Sequence, residues 1–215
     1  MKITIISDNT AHKPELRKEW GFSCLIETER TPGILFDAGA RGSVLLHNIE
    51  KLNIDPKNID CVFISHDHWD HTGGLKAFLK LNDDIKLYLP DSFFSFTKPK
   101  AREVIRVKDT VKMYENIFST GQLNGIEQSM IVKTDKGLVV IVGCSHPGVG
   151  NILNSAKQYG KVIALIGGLH GFNDFDLIKD LDLICATHCT QHKERIKKLY
   201  PEKFIEGGAG SEITV

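Results

Sequence analysis

A chain of 215 residues, 41% hydrophobic and 25% charged, has the balance of an ordinary globular protein rather than a disordered one, and its length suits one domain of stacked layers spanning residues 1–215. Lys+Arg and Asp+Glu are equal at 27 each, so no global field draws nucleic acid, and a phosphate-bearing ligand needs a local positive site such as a metal. The opening run Met1-Lys2-Ile3-Thr4-Ile5-Ile6-Ser7-Asp8 lacks the long apolar core of a signal peptide, and no stretch approaches the roughly 20 apolar residues that cross a bilayer. A cytoplasmic protein with a small-molecule substrate and no membrane or nucleic-acid partner is expected.

In chain order, strand-length apolar runs are predicted at residues 2–7, 22–27 and 34–36. A helix follows over 43–52, where Val44, Leu45 and Leu52 keep helical spacing, then a strand over 61–65. The pattern continues with a helix at 75–81, a strand at 85–89 and an irregular region over 90–128, in which Phe93, Phe94 and Phe96 are read as core rather than as a flap. Strands at 129–134 and 138–142 flank a hairpin at Asp135-Lys136-Gly137. A helix over 149–159, strands at 162–166 and 183–186, a helix over 190–200 and a strand at 203–205 complete the chain. Runs of strands with helices between them suggest two sheets with helices outside, alongside an ordinary doubly wound sheet. The basic group Lys193, Arg195, Lys197 and Lys198 reads as a solvated helix face.

The five cysteines, Cys24, Cys61, Cys144, Cys185 and Cys189, are odd in number and widely spaced. They read as reduced, mostly buried thiols, and Cys185 and Cys189 lack a second pair to complete a structural zinc site. The strongest chemical signal is Ser65-His66-Asp67-His68-Trp69-Asp70-His71-Thr72-Gly73-Gly74, directly after an apolar strand. His66, His68, Asp70 and His71 offer imidazole and carboxylate donors suited to zinc, iron or manganese, whereas calcium prefers oxygen. The Gly73-Gly74 pair is read as a tight turn before the next helix. His146, His170 and His188 each stand in a small-residue turn after an apolar run, so neighbouring strand ends can bring them to the same rim. His12, His47 and His192 lack that setting.

The His66-x-His68-x-Asp70-His71 string with His146 and His188 resembles the metallo-β-lactamase superfamily over nearly the whole chain. The resemblance implies an αββα four-layer sandwich with two metal ions at one edge, zinc first, with manganese or iron as the other candidates. It implies His66, His68 and His146 around one ion and Asp70, His71 and His188 around the second. Asp37, in Leu35-Phe36-Asp37-Ala38-Gly39, is similar to the family's supporting acid, while a turn-capping role fits the residues equally well. Many members carry a bridging aspartate where this chain has Ile166-Gly167-Gly168-Leu169-His170. That leaves His170 three roles: replacing the acid, binding substrate, or supporting a ligand.

Asp8-Asn9, Gly21-Phe22-Ser23, Cys144-Ser145-His146-Pro147-Gly148 and Thr187-His188-Cys189-Thr190 further resemble the branch around the dihydropterin-ribofuranosyl-aminobenzene phosphate synthase of archaeal methanopterin biosynthesis. Relatives there often carry a longer insertion between positions equivalent to Leu89 and Gln128. The implied function is hydrolysis of a small phosphoester or phosphodiester by metal-activated water, with Asp70 and His170 as catalytic residues. A pterin-pathway synthase acting on a phosphoribosyl substrate, iron-dependent redox chemistry and a metal-stabilised binding protein are the alternatives.

Overall fold

Alternation along a strand sorts its side chains onto two faces, and here both faces are covered. The computed structural model describes residues 1–94 and 99–215; Phe96 lies outside the described residues. The strands are β1 (Lys2–Ser7), β2 (Ser23–Thr28), β3 (Thr31–Phe36), β4 (Ile59–Phe63), β5 (Lys86–Pro90), β6 (Glu103–Val107), β7 (Val111–Tyr114), β8 (Ile117–Ser119), β9 (Met130–Lys133), β10 (Leu138–Val142), β11 (Val162–Gly168), β12 (Leu183–Thr187) and β13 (Glu212–Thr214). The helices are α1 (Gly42–Lys51), α2 (Trp69–Thr72), α3 (Leu75–Leu81), α4 (Val149–Lys157) and α5 (Lys193–Leu199). Among the described residues one sheet runs β13-β1-β2-β3-β4-β5-β6 and the other β12-β11-β10-β9-β8-β7.

Odd and even positions go to different cores. Ile3, Ile5, Phe36 and Phe63 of the first sheet meet Met130, Val139, Ile141 and Ile166 of the second in the central core. The opposite faces, with Ile6, Leu35 and Val62, pack on Leu45, Ile49 and Phe78 of α1 and α3. Val140, Val142 and Leu165 pack on Ile152, Leu153 and Ile196 of α4 and α5. The result is an αββα four-layer sandwich. Each buried aliphatic or aromatic side chain contributes about 1.5–3 kcal/mol, and a one-residue slip would exchange the two sets, so the register is strongly specified.

Topology makes the rim. Strands β3 to β6 are parallel, and β1 shares their direction because it and β3 are both antiparallel to β2. Strands β10, β11 and β12 are likewise parallel. The carboxyl ends of β1, β3 and β4 therefore share an edge, as do those of β10, β11 and β12. The two edges meet where Gln128 N–H bonds Ser65 O and His188 N–H bonds Asp8 Oδ1.

Several expectations shift. The stretch 203–205 is held by an isolated bridge between Ile184 and Phe204 rather than by a strand ladder. The irregular region contains β6, β7 and β8, and its phenylalanines divide: Phe93 is buried while Phe94 is 80% exposed. The last helix starts at Lys193 because Thr190 folds back on Thr187 O through both its amide and its hydroxyl. Lys193 and Lys197 on that helix pair with Glu206. Gly73 and Gly74 both have ordinary right-handed backbone, so conformational freedom is not their role. A Cβ on either would collide with the backbone of residues 38–40, so glycine lets the two segments approach.

Candidate metal centre

Asp37 organises the first half of the site from the end of β3. It is fully buried with φ 54, a left-handed conformation that aspartate tolerates better than most residues. Its Oδ1 accepts from Ser65 N–H at 2.7 Å, and its Oδ2 accepts from Ser65 Oγ–H and His71 Nδ1, each at 2.7 Å. The His71 proton therefore sits on Nδ1, leaving the Nε2 lone pair directed into the site. Ser65 Oγ spends its proton on Asp37, so at 2.9 Å it accepts from His66 Nδ1, and His66 also presents Nε2. One acid thus orients two rings, His71 directly and His66 through Ser65, contacts that a turn cap alone would not make.

His188, at the end of β12, is fixed in the same way from β1. Asn9 Nδ2 donates to His188 O, so Asn9 Oδ1 is the acceptor for His188 Nδ1 at 3.1 Å. Asp8 Oδ1 takes the His188 backbone N–H at 3.0 Å. Nε2 of His188 then lies 3.4 Å from Asp70 Oδ2 without forming a hydrogen bond, and Asp70 Oδ2 is also 3.9 Å from His71 Nε2. Trp20 Nε1 donates to that same oxygen at 3.0 Å. Burial alone would raise the Asp70 carboxyl, but the His188 contact and the His71 and His188 charges hold it at about 2.

The turn after β10 is built on Glu127, a buried acid that no sequence pattern singled out. Its Oε1 accepts the N–H groups of Gly143, Cys144 and Ser145 at 3.0 to 3.1 Å, and its Oε2 accepts His146 N–H at 2.9 Å. Ring centroids of His66, His68 and His146 are 4.4 to 4.8 Å apart, and His66 Nε2 is 3.0 Å from His68 Nδ1. Burial and the neighbouring rings push His66 well below the usual imidazole range and His146 down to about 4. Burial also pulls His71 down, but the charge and hydrogen bond of Asp37 outweigh it and raise this ring.

The structure thus brings His66, His68 and His146 together, and beside them Asp70, His71 and His188. His170, exposed and at φ 45, stands 5.2 Å from His146 between ring centroids. The two rings share a surface depression of about 310 Å³ with Ser145, Gly148 and Phe172. His12 and His47 are engaged elsewhere, with Gly207 O and Glu15 O.

The donor set fits a cation. Nε2 of His146 and of His188 are buried without a hydrogen-bond partner among the described residues. Leaving such a nitrogen dry costs about 1–3 kcal/mol. With the ring neutral, His188 Nε2 and Asp70 Oδ2 are two acceptors facing each other at 3.4 Å, an arrangement that calls for a positive charge between them, either a proton on the ring or a bound cation. Cys144 and Cys189 are also present, with sulfurs 3.2 Å apart, and Cys144 Sγ is 3.2 Å from His71 Nε2. All five cysteines are free, as expected, but this pairing went unread because it forms across the ends of β10 and β12. The available signal was position: Cys144 lies two residues before His146, and Cys189 directly follows His188.

A family model described as the metallo-beta-lactamase superfamily matches residues 21–153. The 7,8-dihydropterin-6-methyl-4-(beta-D-ribofuranosyl)-aminobenzene-5'-phosphate synthase of Methanocaldococcus jannaschii is 28% identical, with 94% of this chain and 91% of that protein covered. A crystal structure described as a metal-dependent hydrolase of the beta-lactamase superfamily superposes with TM-score 0.77 at 26% identity, covering 100% of this chain and 99% of the other. The short form of human tRNase Z gives TM-score 0.64 at 17% identity over 100% and 99% of the two chains, a likeness of fold alone. No helix among the described residues is long and apolar enough to cross a membrane.

Proposed function

Because this chain belongs to the metallo-beta-lactamase superfamily, we propose that it is a two-metal enzyme that hydrolyses a small phosphoester or phosphodiester. His66, His68 and His146 would hold one cation and Asp70, His71 and His188 the other, with zinc the first candidate for this nitrogen-rich set. The observation that carries the reading is the convergence of oriented imidazole lone pairs, two of them buried and unpartnered. When bound, two such cations supply Lewis acidity toward a phosphoryl oxygen and a water that is acidic near neutral pH.

The protein's own residues supply position. Asp70 is locked between Trp20, His71 and His188, so its carboxylate can accept a hydrogen bond from the attacking water and fix its direction. His170 stands beside His146 on the open side of the site, placed to give a proton to the leaving oxygen. Trp20 and Trp69 are 54% and 64% exposed although one bonds Asp70 and the other lies between His68 and Asp70. They offer flat faces to an aromatic part of a substrate.

A second reading is a pterin-pathway synthase acting on a phosphoribosyl substrate, favoured by the 28% identity that extends over nearly all of both chains. The test is turnover by zinc-loaded protein on phosphomonoesters, phosphodiesters, lactams, lactones and a pterin with ribosyl-aminobenzene phosphate. Phosphoester hydrolysis that disappears in Asp70→Ala and weakens in His170→Ala is expected. Consumption of the pterin pair without phosphoester hydrolysis would replace the first reading by the second.

A further inference from the structure

We infer that the Cys144 thiolate is a ligand shared by both cations, an inference that rests on the two-metal reading above. Cys144 Sγ belongs to two donor groups at once. With His66 and His146, and again with His71 and His188, it places one donor atom within 4.8 Å of the others. Cys144 is buried, and its turn is fixed from behind by the Glu127 carboxylate.

The simpler account is a thiol donating to His71 Nε2 at 3.2 Å. A thiol has one proton and can satisfy one nitrogen. His146 Nε2 and His188 Nε2 would remain buried without partners, whereas a cation on each side of the sulfur engages both groups. Charge argues the same way. Among the proposed ligands only Asp70 is an anion, and two divalent ions about 3.5–4 Å apart repel strongly. A thiolate between them offsets that repulsion; on binding, the Cys144 proton leaves to solvent and sulfur–metal bonds take its place.

The carboxyl end of β11 leaves no room for a side chain at Gly168. A Cβ built on Gly168 would lie 2.5 Å from Gly143 O and 2.7 Å from Cys189 Sγ, so sulfur occupies the volume that a side chain there would need. Cys189, with its sulfur 3.2 Å from Cys144 Sγ, donates its S–H to that sulfur and is a positioning residue.

The test is zinc X-ray absorption on full-length protein with bound zinc counted by elemental analysis, for wild type, Cys189→Ser and Cys144→Ser. Two zinc ions per chain with an average of one sulfur per zinc at about 2.3 Å is expected, because one shared sulfur is seen by both ions. That value should persist in Cys189→Ser and vanish in Cys144→Ser. Should Cys144→Ser fail to fold, one sulfur per zinc in both wild type and Cys189→Ser still assigns a shared Cys144, since Cys24, Cys61 and Cys185 are buried outside both donor groups. Two zinc ions with no sulfur, with half a sulfur each, or with a signal that depends on Cys189 would overturn the inference while leaving the two-metal reading intact. At most one zinc per chain would overturn both.

Discussion

Replacing Asp37 by asparagine alters only one terminal group, yet it should reverse the orientation logic of the site. Asparagine adopts φ near 54 readily, so the backbone is expected to hold. The amide oxygen can replace Oδ1 as acceptor for Ser65 N–H. The other oxygen, which accepts from Ser65 Oγ and His71 Nδ1 at 2.7 Å each, becomes an NH2 group that can only donate. His71 must then give up that contact or move its proton to Nε2, the atom that faces Cys144 and Asp70. Two hydrogen bonds to a buried charge, at about 1.5–3 kcal/mol each, are replaced by weaker neutral ones, so metal-free protein should lose about 2–4 kcal/mol. Metal affinity should fall about 10–100-fold, since supporting partners of ligand histidines have effects of that size. Chelator competition gives the affinity and urea unfolding of metal-free protein gives the stability. Unchanged affinity beside lowered stability would refute the reasoning and return Asp37 to a turn-capping role.

Three further outcomes follow from the same geometry. Glu127→Gln keeps an acceptor for Gly143, Cys144 and Ser145 but points an amide donor at His146 N–H, so urea unfolding should show a loss of about 2–4 kcal/mol; a loss below about 0.5 kcal/mol would contradict the clamp. Gly168→Ala should cost about 1–3 kcal/mol and lower zinc content, because the added methyl meets Gly143 O and Cys189 Sγ; wild-type stability and zinc content would show that the turn has room. Metal-free protein should weaken as pH falls from about 6.5 to about 4. His66 and His146, depressed by burial and neighbouring rings, bind protons more readily when unfolded; the raised His71 and the Glu127 carboxyl, raised by burial, oppose this, and the Asp70 contribution is lost only below about 4. Urea midpoints at pH 7 and pH 5 that are equal, or higher at pH 5, would contradict buried neutral rings.

Apolar runs made most of the fold legible. Strand β10 has the bounds predicted for it, because Leu138–Val142 is apolar throughout and sandwiched between two cores. Strand β6 was missed for the opposite reason: Glu103 and Arg106 give an edge strand no apolar period, and β7 and β8 are too short to show one. The histidines were legible because each follows a strand whose end the topology carries to the rim. What held them was not. Glu127 clamps a turn 16 to 19 residues away, and Asn9 fixes a ring 179 residues away. Asp37 offered two roles in sequence, and only its contacts with Ser65 and His71 separate them. Cys144 and Cys189 meet only after β10 and β12 are laid on either side of β11.

The most direct test is the number of metal ions per chain, measured by elemental analysis on wild type and Asp70→Ala purified without added metal. The arrangement of His66, His68 and His146 beside Asp70, His71 and His188 predicts two equivalents in wild type. Asp70→Ala should fall to about one while keeping its far-ultraviolet circular dichroism. At most one equivalent in wild type, unchanged by the substitution, would contradict the two-metal centre.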